Sequence, residues 1–115
     1  MDIQEIRNNY FNGKISQSEV INLLITILNK SNESELRESS IKLICELNLK
    51  SIELFKLLEV CLISDKNPNV RAAAAKCMME NFLNIGLDSL KWALKHDNSV
   101  LMVKTLKNLK SILDT

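Results

Sequence analysis

The sequence holds only 2 glycines and 1 proline in 115 residues, and aromatic residues make up 4% of it. So little turn chemistry argues against the many short strands and tight turns of a β-sandwich or barrel. Long apolar runs are missing too. Val60 to Ile63 is bounded by Glu59 and Ser64, and Leu23 to Leu28 is interrupted by Thr26, far short of the roughly 20 residues of a membrane span. No membrane helix is expected. There is no Cys-x-x-Cys pair. Cys45, Cys61 and Cys77 stand sixteen residues apart among apolar neighbours at helix-packing spacing, as small core side chains do. Their odd number fits a reducing compartment better than a disulfide framework. The amino terminus, MDIQEIRNN, carries acids and no basic-then-apolar signal pattern, so a cytoplasmic location is expected.

What is present is 46% apolar and 25% charged residues, the composition of one soluble, mostly helical domain able to bury a core. The net charge of +1 conceals a gradient. Residues 1–65 hold 7 basic and 10 acidic side chains, and residues 66–115 hold 8 and 4, so the sum runs from −3 to +4. Such an asymmetry can orient a molecule toward an anionic partner, although solvated helical surfaces often carry a dipole of this size.

Helix signals recur along the chain. Ile3, Ile6, Tyr10 and Phe11 give residues 2–11 an apolar side that Asn12-Gly13 would terminate. Ser16-Gln17-Ser18-Glu19 has capping-box spacing ahead of Val20, Leu23, Leu24, Ile27 and Leu28. After a polar turn at 30–34, a second packing helix follows through Leu36, Ser40, Ile41, Leu43, Ile44 and Leu47. Ser51 can cap a third, reaching about Ile63, whose nearly unbroken apolar content predicts burial on all sides. Asn67-Pro68 is a cap followed by proline at the first helical position, opening a helix to about Leu83. Gly86 is expected to close a turn, Asp88 to cap Leu90 to Leu94, and Asp97 or Asn98 to cap a last helix along Val100, Val103, Leu106, Leu109, Ile112 and Leu113. Seven helices and no strand are expected.

Leu24 and Leu28 recur as Leu58 and Leu62 and again as Leu90 and Leu94, at offsets of 34 and 32. Leu36-Arg37, Val70-Arg71 and Val100-Leu101 follow at eight, eight and six residues. A period of this length marks a helical repeat, whose units bury their apolar faces by stacking. The expected fold is therefore all-α: a short α-solenoid of three antiparallel helix pairs (16–48, 51–84, 87–113) behind a capping helix (1–13), all one domain. Tetratricopeptide-like hairpins are the alternative, but their Trp-Leu-Gly-Tyr spacing is missing from the first helices.

The stretch DKNPNVRAAAA, Asp65 to Ala75, resembles the turn signature of HEAT repeats, in particular those of the phycobilisome-lyase type. The resemblance implies that Asp65 and Arg71 join neighbouring units by hydrogen bonds while the alanines let helices approach closely. Unit one keeps Arg37 but has Ser31 in the place of Asp65, and unit three has Leu101 in the place of the arginine, so a polar ladder should stop before the end. The same resemblance raises chromophore attachment, which cysteines placed as core residues do not support.

Little here suggests chemistry. His96 and Asp97 are adjacent at a helix end, where side chains generally point apart, and no nucleophile is spaced to join them. A lone histidine and scattered cysteines lack metal-ligand spacing, and two glycines make no phosphate loop. No cofactor is expected, and the chain is not expected to be an enzyme. The expected function is that of a protein-interaction module or adaptor, its partner another protein. Glu38, Lys42, Arg71, Lys76, Lys104 and Lys107 point outward from the second helices as its candidate binding surface. Val100-Leu101-Met102-Val103 is more apolar than one packed face absorbs, which makes Leu101 and Met102 a candidate association edge, with a homodimer through the C-terminal repeat as one candidate assembly. Lys104, Lys107 and Lys110, with Lys91 and Lys95 on the helix before, are candidates for a basic face. Nucleic-acid or other polyanion binding through it is the alternative, weakened by near-neutral total charge and few aromatic or arginine readers.

Overall fold

The computed structural model describes residues 1–113, with the side chain of Ile112, expected on the packing face of the last helix, outside what is described. Its helices are α1 (Ile3–Phe11), α2 (Gln17–Lys30), α3 (Ser34–Glu46), α4 (Ile52–Ser64), α5 (Pro68–Asn81), α6 (Leu83–His96), α7 (Val100–Thr105) and α8 (Lys107–Leu113). Side-chain caps account for four of the eight starts, Ser51 at α4 among them. Asp2 accepts from the Glu5 N–H at 2.8 Å. Ser16 accepts from the Glu19 N–H at 3.1 Å while Glu19 accepts from the Ser16 N–H at 3.2 Å, completing the capping box. Asn67 accepts from the Asn69 N–H at 2.8 Å, with Pro68 opening α5.

α2 pairs with α3 and α4 with α5, while in the third unit α6 packs on α4 and α5, and α7 packs on α5 and α8. First helices stack as one layer (α2, α4, α6) and second helices as another (α3, α5, α7), with α1 closing one end against α3 and α2. The result is elongated, 45 × 27 × 19 Å. α5 lies at the centre, touching α3, α4, α6 and α7. Its buried residues include Ala72, Ala74 and Ala75, and small side chains at these positions let several neighbours approach one helix. Leu24, Leu58 and Leu90, the recurring leucines of the three first helices, are each fully buried.

Three expectations are corrected. Gly86 closes no turn and Asp88 caps nothing: α6 is continuous from Leu83, so the third unit begins earlier than 87. Gly86 is buried inside that helix, where a Cβ would come within 2.9 Å of Met78 Cε and 3.3 Å of Phe55 Cε1. The glycine serves close packing. The last helix is not one element but two, interrupted at Leu106, itself buried. Finally, α4 is not buried all round. Leu54, Leu58, Cys61 and Leu62 face the core, whereas Ile52, Val60 and Ile63 are exposed.

Candidate functional site

Each helix pair turns through the same local device. Ser31, Asp65 and Asp97 stand two residues before the caps Glu33, Asn67 and Ser99, and each accepts the cap's N–H through its side chain, at 3.1, 3.0 and 3.1 Å. Four residues after each cap come Arg37, Arg71 and Val103. Arg37 binds its own turn through the Leu28 and Ser31 carbonyls (2.6 and 3.2 Å) and reaches Asp65 of the next unit at 3.0 Å. Arg71 repeats the pattern, bonding the Asp65 and Lys66 carbonyls (2.9 and 3.3 Å) and Asp97 at 2.7 Å. Both ion pairs are largely shielded, with side chains 10–18% exposed, so each is worth more than an ordinary surface pair. Burial alone would raise the Asp97 pKa, but hydrogen bonds from Arg71 and from the Ser99 N–H and hydroxyl hold it below the ordinary aspartate value.

The register of this ladder corrects two readings. Val103, not Leu101, occupies the arginine's place in unit three, so the ladder ends at Asp97. Arg71 is accordingly a link between units and not a free surface charge. Of the other outward candidates, Lys42 is exposed and pairs with the half-buried Glu38 at 2.8 Å on α3. Lys76 borders a separate groove of about 380 Å³ between α5 and α7–α8, with Met79, Glu80 and Leu109. Lys104 and Lys107 lie elsewhere again. The six do not form one site.

A better-defined surface lies on unit three. A groove of about 700 Å³ runs between α6 and α7–α8, with Leu94, Met102 and Leu106 at its base and Val100 and Val103 along it. Lys104, Lys107 and Lys110 line it together, and among the described residues no carboxylate pairs with them. Lys91 and Lys95 lie outside it. Met102 is fully buried, packing where Val70 packs in unit two, so it offers no association edge of its own. The exposed apolar residues of the groove are Val100 (81%) and Val103 (58%), while Leu101 (37%) lies outside its lining.

His96 and Asp97 are not brought together as an acid–base pair: His96 stacks on Trp92 with ring centroids 4.8 Å apart, and Asp97 is engaged by Arg71. Cys61 and Cys77 are buried and Cys45 is half-buried. Burial first, then a hydrogen bond from its thiol to Glu80, pushes Cys45 up to about 11, and burial raises the other two as well. Raised in this way, the thiols stay protonated at neutral pH. Among the described residues no group of three His, Cys, Asp or Glu is placed to hold a metal, and no helix is long and apolar enough to cross a membrane.

Stacked helix pairs joined by an arginine–aspartate ladder define a helical-repeat solenoid. Residues 54–80, most of α4 and α5, match the family model described as HEAT repeat. Repeats of this kind generally mediate protein–protein interaction. No curated protein and no solved structure matches the chain.

Proposed function

We propose that the chain is a non-enzymatic protein-interaction module, an adaptor whose principal contact surface is the groove at the end of the third unit. The carrying observation is the exposure of Val100 and Val103 along an open apolar base. A contiguous exposed apolar surface favours self-association or precipitation unless a partner covers it.

The test is capture from a cell extract with immobilised wild type and with V100E/V103E, both checked for helicity by circular dichroism. Both valines are exposed, so the variant should fold. Proteins retained by the wild type and lost from the variant are the expected result. Equal retention by the two would refute the assignment.

A further inference from the structure

We propose that the occupant of this groove is an amphipathic helix whose apolar stripe is flanked by aspartate or glutamate. The proposal rests on the protein-interaction reading above and names the chemistry of the partner. The apolar base of Leu94, Met102 and Leu106 is bordered by three lysines. Among the described residues Asp97 is the one carboxylate lining the groove, and Arg71, the Ser99 N–H and the Ser99 hydroxyl already occupy it. The surface therefore offers apolar contact and positive charge together. Apolar residues at i, i+3, i+4 and i+7 would fill the base, and flanking acids would meet the lysines.

Three other occupants fit less well. A further unit stacked in the ladder's register would bring a turn aspartate against Val103, which has no guanidinium to meet it. That carboxylate would be shielded from water and unpaired, a costly arrangement. A second copy docked symmetrically would place Lys104, Lys107 and Lys110 against the same three lysines, a like-charge contact that opposes association. A nucleic-acid backbone would satisfy the lysines but leave Val100 and Val103 uncovered.

The probes are two synthetic helical peptides with the same leucine stripe, one flanked by glutamates and one by lysines, measured by fluorescence anisotropy. The glutamate peptide is expected to bind at least about tenfold more tightly, the range that several rim ion pairs supply together, and to weaken as salt is raised. K104E/K107E/K110E should reverse the preference, K104Q/K107Q/K110Q should reduce it, and V100E/V103E should weaken both peptides. All of these positions are exposed.

Equal binding of the two peptides by the wild type overturns the proposal, as does a preference that survives the charge reversal. Light scattering that shows a wild-type dimer converted to monomer by V100E/V103E overturns it in favour of a second copy. Single-stranded DNA bound as tightly as the glutamate peptide, and unaffected by V100E/V103E, overturns it in favour of a polyanion. Should V100E/V103E lose captured proteins while the two peptides bind alike, the partner chemistry fails and the module assignment stands. Equal capture with a clear glutamate preference has the opposite meaning.

Discussion

Replacing Arg71 with methionine removes the charge while keeping much of the apolar stem. The guanidinium loses its 2.7 Å bond to Asp97 and its bonds to the Asp65 and Lys66 carbonyls. Asp97 keeps the Ser99 N–H and hydroxyl but becomes an uncompensated, mostly shielded carboxylate. Breaking a fully buried pair costs about 3–5 kcal/mol. Here the side chains remain 18% and 10% exposed, so the expected loss is about 2–3 kcal/mol, in the range of hydrogen bonds to charged groups. For a chain of this size that corresponds to a fall of roughly 10 °C in Tm. Urea denaturation followed by circular dichroism measures it directly, and a double-mutant cycle with Asp97→Asn isolates the pair, with a coupling of about 1–2 kcal/mol expected. Lys42→Met, which breaks the exposed pair with Glu38, serves as control at about 0.5 kcal/mol or less. An R71M variant within about 0.5 kcal/mol of wild type, or strictly additive with D97N, would refute the view that the ladder couples the units.

Gly86→Leu should destabilise by about 2–3 kcal/mol through overpacking against Met78 and Phe55. Gly86→Ala should stay within about 1 kcal/mol of wild type, because the gain in helix propensity offsets a contact that the Met78 terminus relieves by shifting; matched melts of the two variants decide. In acid, Asp97 makes a signed prediction. Its folded-state pKa lies below the ordinary value, so its contribution is complete above an unfolded pKa of about 4 and is lost as pH falls through the folded value. Stability measured from about pH 5 to pH 3 should therefore fall less steeply in D97N than in wild type, and parallel curves would contradict the ladder's electrostatics.

Local signals survived into the structure wherever the chemistry was local. The Ser16–Glu19 box and Asn67-Pro68 start helices because each satisfies free backbone groups within its own turn, whatever packs beyond. Gly86 was misleading for the opposite reason. A glycine followed by Asp88 has the appearance of a turn and cap, while the real constraint is the approach of Met78 and Phe55 from other helices. Val100 to Val103 carries no phase of its own, since four consecutive apolar residues suit any face. The phase was nonetheless present in the six-residue spacing shared by Ser31–Arg37, Asp65–Arg71 and Asp97–Val103, which aligns Met102 with Val70 in the core and sets Val103 outside it. The exposure of Val60 and Ile63 on α4 had no such marker, because it depends on which neighbours the first-helix layer brings alongside.

The ladder also determines where such an array can grow by duplication. A second copy of the α4–α5 unit inserted after the first would present its own Asp65 to the Arg71 before it, and its own Arg71 to Asp97. Every guanidinium would still find a carboxylate. A copy added beyond Val103 would find none. The ladder is thus preserved by lengthening from within and interrupted by addition beyond Val103.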